Sequence, residues 1–230
     1  KGRVLMRPLQ RLVAPDGYEV MLFPLEYMNI SQGEGGSLSH DKAMDFLGWD
    51  ANGRVYNAPM YAPCSCRCVA TIDAYNKGRI FQSIGQVHTP SGLKTVTFMC
   101  FHDNNPIASV GDIFTQGDLI GHTGTAGGVT GDHTHFNTAN GQYRGWEHVP
   151  PDNHGQLVDS KHIYDICYVN DTVIDDKTCE GISVIYYDDA TSEYVVDSYL
   201  NCKKYTSEHY WDYNDEIEDS DVMYFVNKHL

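Results

Sequence analysis

The segment Gly131-Asp132-His133-Thr134-His135-Phe136 sets two imidazoles two residues apart. In an extended strand residues i and i+2 share a face, so both rings point the same way. That spacing suits one metal ligand beside one proton-handling group. Upstream, SHDKAMDF carries His40 and Asp45, an imidazole and a carboxylate that are both good zinc ligands. Asp45 lies between Met44 and Phe46 in an expected strand, where a carboxylate is costly to bury unless it is paired or bound to metal. His102 follows the apolar run TVTFMCF. Taken singly, each has a bland explanation: an edge position, a loop hydrogen bond, or a strand end capped by solvent.

Taken together they describe a catalytic metal site. His40, Asp45 and one histidine of the pair make three protein ligands. The fourth position of a tetrahedral zinc is then left open, as catalysis requires and a closed structural site does not allow. The two remaining histidines are available for proton transfer or oxyanion stabilisation. Asp41 competes as a ligand, although two adjacent residues would strain to reach one ion.

The order of these residues resembles the lysostaphin/LytM family of zinc endopeptidases. The stretch GDLIGHTGTAGGVTGDHTHF (117–136) matches the family's glycine loop, GD-x-I-G-x-x-G-x-x-G-x-x-T-G-x-H-x-H-F. APCSCRCVATID stands where the family has an APxxGxV strand. The likeness covers roughly residues 31–140. It implies one zinc ion (Zn2+) per chain bound by His40, Asp45 and His135, with His102 and His133 as catalytic histidines. It also implies hydrolysis of peptide bonds in Gram-positive peptidoglycan. Two departures stand out. The His–Asp spacing is HxxxxD rather than HxxxD, and Cys66 or Arg67 occupies the place of a turn glycine. Resemblance to tail-associated lysins further implies a bacteriophage virion, with other phage tail proteins as partners. A structural or adsorption tail component, a wall-binding module with structural zinc, a prophage endolysin and a secreted, extracellular bacteriocin are the alternatives.

Positioning these side chains calls for strands. Lys42–Gly48, Val55–Tyr61, Cys68–Ala74, Arg79–Val87 and Lys94–Phe101 are short β-like segments bounded by Gly, Pro, Asn or Asp, the pattern of an antiparallel fold. SQGEGGS (31–37) and the stretch from 117 are glycine-rich loops. The fold class expected is therefore mostly β: an antiparallel, LytM-like endopeptidase domain with an acidic, β-rich C-terminal extension. Its parts are a lead-in over 1–30, the enzyme domain over 31–155 and the extension over 156–230. In the extension, GISVIYYD and EYVVDSYL read as two strands, and DATS between them could close a hairpin. Residues 205–221 have too little aliphatic content for a core of their own. The constellation is complete by His135, so a chain ending near Pro151 is expected to keep its ligands.

Composition narrows the partners. The 230 residues carry a net charge of -15, which excludes nucleic acid as an expected partner because phosphate binding needs a basic face. About half of the 31 acidic side chains fall in residues 160–230, so the two parts differ in role. No apolar run approaches the roughly 20 residues of a membrane span. The chain opens on Lys1 rather than Met, which suits a fragment or a processed product. Seven cysteines cannot all pair within the chain. Cys64, Cys66 and Cys68 lack the CxxC knuckles of a zinc ribbon and read as buried thiols on one face of a strand.

Overall fold

The protein is described here from a computed structural model. It covers residues 11–170 apart from 15, 27, 35–36, 51 and 150–154, and the strands within 182–211. Among the described residues the regular structure is strand and three 3-10 turns, with no α-helix.

Nine strands form the main sheet. In chain order they and their neighbours are β1 (Met28–Gln32), β2 (Ala43–Asp50), β3 (Gly53–Val55), β4 (Pro59–Tyr61), β5 (Cys66–Ile72), β6 (Gly78–Ser83) and β7 (Val87–Thr89). Then follow β8 (Gly92–Lys94), β9 (Val96–Cys100), β10 (Ile113–Phe114), β11 (Leu119–His122), β12 (Thr134–Asn140) and β13 (Ser160–Lys161). The main sheet runs β1-β2-β12-β9-β6-β5-β10, with β3 on β2 and β13 on β12. Its ladders are antiparallel. β14 (Tyr168–Asn170), β15 (Ile182–Asp188), β16 (Glu193–Ser198) and β17 (Tyr205–Trp211) form a second antiparallel sheet. The two strands expected in the extension pair with each other, Asp188 opposite Glu193. The DATS stretch joining them, and residues 212–221, lie outside the described residues.

The period-2 alternation of strands sorts the side chains. Met44 and Phe46 of β2, Phe136 of β12, and Val96 and Phe98 of β9 all enter one aromatic-rich core with Phe23 and Phe81. Asp45 and His135, one residue out of step, face the other way. Burying each such aromatic is worth about 1.5–3 kcal/mol, so a one-residue slip of β2 or β12 would put phenylalanines where the carboxylate and imidazole belong. Packing thereby holds the register on which the site depends.

Several expected strands are shorter or shifted. Val55–Tyr61 divides into β3 and β4 because Asn57 takes φ 52, a left-handed conformation that Asn tolerates; its N–H donates to Asp132 Oδ2. Arg79–Val87 ends at Ser83, whose hydroxyl donates to the Gly85 carbonyl and accepts from the Val96 N–H. Val20, Met21, Leu22 and Phe23, in the lead-in, are fully or almost fully buried. At the other end, Leu157, Ile163, Ile166 and Cys167 are buried too, and the last three join the aromatic core. Cys64, Cys66, Cys68, Cys100 and Cys167 are free, buried thiols. Burial pushes the Cys64 and Cys100 thiols well up, and Cys68 to about 11, so they stay protonated and inert.

Candidate metal centre

His135 and Asp45 are direct cross-strand partners in the β12–β2 ladder. His40 ends the 3-10 turn Leu38–His40 that precedes β2. These three side chains are buried, and one ligand atom from each lies within 4.8 Å of the other two. His40 Nε2 is 2.9 Å from Asp45 Oδ1, His135 Nδ1 is 3.1 Å from the same oxygen, and the two nitrogens are 3.3 Å apart. Zinc–ligand bonds of about 2.0–2.2 Å give a tetrahedral edge of roughly 3.3–3.6 Å, so the triangle is a slightly contracted face of a zinc tetrahedron. Asp41, the competing candidate, is exposed and outside this group.

The hydrogen bonds around the rings set their tautomers. A carbonyl can only accept, so His135 Nε2, 3.2 Å from the Gly155 carbonyl, must carry the proton. In the neutral ring that leaves the Nδ1 lone pair facing Asp45 and His40. On the far side of His40, Nδ1 meets the Ser37 and Ser39 hydroxyls at 3.1 and 2.9 Å. Lone pairs of two nitrogens and a carboxylate thus converge, an arrangement that only protons or a cation can reconcile. Without a cation, protons shared from the facing His135 and His40 nitrogens do this: burial works against the Asp45 carboxylate, but those contacts outweigh it and hold its pKa well below the usual carboxylate range. The donor set fits zinc: two imidazoles and one carboxylate, converging from one side.

His102 and His133 stand beside this triangle, their ring centroids 4.7 Å apart. His102 Nδ1–H donates to the Ala126 carbonyl and His133 Nδ1–H to the Gly131 carbonyl, both at 2.8 Å. Each neutral ring therefore has Nε2 as its free basic atom, and His133 Nε2 comes within 3.4 Å of Asp45 Oδ2. His102, two residues past the end of β9, takes φ 79, a conformation that costs a non-glycine residue about 1–3 kcal/mol. Its backbone N–H donates to the Asn76 carbonyl and its carbonyl accepts from the Ala126 N–H. Burial, then the charge of neighbouring His133, pushes its pKa down to about 4.

The glycine loop makes this pairing possible. Gly124 exchanges two backbone hydrogen bonds with His133, and a Cβ there would lie 2.2 Å from the His102 carbonyl oxygen. Glycine at 124 is what lets the chain segments carrying the two histidines approach. The five residues open onto a cleft of about 410 Å³, bordered by Tyr75, Asn76, Val129 and Thr130.

Structure thus brings together the five residues singled out in the sequence. It adds supports that sequence reading passed over: Ser37 and Ser39 behind His40, and Gly155 behind His135. Gly155 and its neighbours lie beyond Pro151, so the ligands are complete by His135 but their supports are not.

No family model matches the chain. Morphogenesis protein 1 of Bacillus phage B103 is 36% identical over 186 residues, which cover 78% of this chain and 46% of that protein. The chain therefore spans about half the length of this curated relative. Solved structures with some likeness include lysostaphin from Staphylococcus simulans, 16% identical over 59% of this chain and 47% of that one, with a TM-score of 0.42. A zinc-containing peptidase from Vibrio cholerae is 14% identical over 60% of this chain and 37% of that chain, at TM-score 0.34. Pseudoalterin, an M23 metalloprotease from the deep sea, is 13% identical over 88% of this chain and 98% of that one, at TM-score 0.40. At such distances the chemistry of this site is read from its own residues.

Proposed function

We propose that the chain is a zinc-dependent endopeptidase that hydrolyses peptide bonds in Gram-positive peptidoglycan, in the stem peptide or the cross-bridge. The observation that carries this reading is the convergence of His40, Asp45 and His135 beneath an open cleft, with the free Nε2 atoms of His102 and His133 beside them. Three protein ligands with an open side suit a catalytic zinc rather than a structural one. When bound, the ion supplies Lewis-acid activation of a water molecule and of the scissile carbonyl.

The chain's own residues do the rest. His102, its Nδ1–H fixed on the Ala126 carbonyl, offers Nε2 as a proton acceptor. His133, its Nδ1–H fixed on the Gly131 carbonyl, offers the second Nε2. Protonated, either ring can donate to the oxyanion that develops on the attacked carbonyl or return the proton to the leaving amine. The Gly155 carbonyl holds the His135 proton on Nε2, so Nδ1 is the atom that would hold the ion. Glycines at 127 and 128 leave room for the rim: a Cβ at either would fall 2.2–2.3 Å from Asn76 Oδ1 or Tyr75 Oη.

The phage setting is supported by the relative's name, a morphogenesis protein of a Bacillus phage. In this reading the chain is part of a virion tail, acts on the host wall from outside the cell, and has other tail proteins as partners. A turbidity assay on purified Gram-positive walls tests the activity. Lysis that stops with a chelator and returns with zinc is expected. Stoichiometric zinc without lysis would instead favour a wall-binding or adsorption component.

A further inference from the structure

We propose that Gly155 and Gln156 are positioning residues for the metal centre, one fixing the tautomer of His135 and the other tying together the two segments that carry His40 and Asp45. The inference rests on the zinc reading above and names what holds that site in shape.

Gly155 has φ +77, a backbone conformation open to glycine at little cost. In that conformation its carbonyl lies 3.2 Å from His135 Nε2. A Cβ at this position would lie 3.2 Å from the Phe101 ring, and that ring stacks on His135 at 5.8 Å between centroids. A side chain here would press on the ring that backs the ligand.

The Gln156 side chain is buried and uses both ends of its amide. Oε1 accepts from the Lys42 N–H at 2.8 Å, and Nε2 donates to the Leu38 carbonyl at 2.7 Å. Leu38 opens the turn that ends in His40, and Lys42 leads directly into β2 and Asp45. One amide therefore spans the bend between two ligands. The next residue continues the clamp. Leu157 N–H donates to Asn137 Oδ1, and Asn137 Nδ2 donates to the Lys42 carbonyl, both at 2.7 Å. Asn137 sits two residues after His135 on β12. Three consecutive residues, far from the ligands in sequence, thus touch the supports of all three. Loss of such outer partners typically weakens metal affinity by about 10–100-fold.

The test is the zinc dissociation constant of the full chain by chelator competition, beside the thermal midpoint of the metal-free form. Gln156→Ala and Gly155→Ala should weaken zinc binding by about 10-fold or more. Gln156→Glu keeps the size and the acceptor but loses the donor, and should fall between native and Gln156→Ala; Gly155→Asn keeps a residue tolerant of positive φ but adds the same Cβ against Phe101, and should weaken zinc binding as Gly155→Ala does. If the Ala variants do not fold, these two carry the test. Affinities within about twofold of native, or a lowered metal-free midpoint with unchanged affinity of the folded protein, would overturn the assignment while leaving the zinc reading intact. Failure of the native chain to bind zinc would overturn both.

Discussion

Asp45 and His135 face each other directly across the β2–β12 ladder, with Asp45 Oδ1 3.1 Å from His135 Nδ1. Two strands thus deliver a carboxylate and an imidazole to one point, and the aromatic core on the opposite face of the sheet fixes their register. His40, from the turn before β2, completes the set.

Removing a ligand should remove the metal. Native chain purified with zinc should hold one ion per molecule, and Asp45→Ala, His40→Ala and His135→Ala should each lose it. Zinc at a thousand times its dissociation constant adds about 4 kcal/mol of stability by mass action. That increment should vanish in all three variants. Elemental analysis and thermal melts with and without zinc decide it; stoichiometric metal in Asp45→Ala and His135→Ala would reject the assignment.

Removing a proton carrier should spare the metal. His102→Ala and His133→Ala should retain zinc and lose wall hydrolysis by on the order of 100-fold or more, the usual scale for general acid–base and oxyanion groups. Near-native rates in both variants, at equal zinc content, would contradict the roles given to them.

Acid should destabilise the metal-free protein through His102. Its pKa is about 4 in the fold against an ordinary value of about 6.5. Between these values the unfolded chain binds more protons than the folded one, so stability rises with pH. The contribution of His102 is present in full above about pH 6.5 and is lost as pH falls towards 4. Thermal midpoints in chelator at about pH 7 and pH 4.5 should therefore converge in His102→Gln relative to native. An equal loss in both proteins would refute this.

These residues were legible because the chemistry is local in sequence. The glycine loop, the HxH pair and the Asp set among apolar residues are each visible within a few positions, and the family resemblance joins them into one site. The outer supports do not. Gln156 reaches Lys42 and Leu38 across more than a hundred residues, and nothing in HGQL marks that reach. The lead-in was harder for another reason: Val20–Phe23 is buried on every side and shows no alternation, so its place in the core had no period to reveal it. Strand ends at Asn57 and Ser83 were set by side-chain and turn hydrogen bonds, which override local β preference.

The same long-range contacts predict where the chain can be cut. A protein ending at Asn170 keeps Gly155, Gln156 and the buried Ile163, Ile166 and Cys167; one ending at Pro151 loses them all. Exposing that much core costs on the order of 5 kcal/mol, comparable to the whole stability of a small domain. The longer form should bind zinc as the full chain does, and the shorter should melt lower and bind zinc poorly. Native-like zinc affinity in the chain ending at Pro151 would show these contacts to be dispensable.

The central claim is tested most directly by mass spectrometry of the fragments released from purified Gram-positive peptidoglycan by the zinc-loaded chain, with His135→Ala as control. The expected result is soluble fragments carrying new peptide amino and carboxyl termini, absent with the variant and absent in chelator. Fragments cleaved only in the glycan strand, or peptide cleavage that persists in His135→Ala, would contradict it.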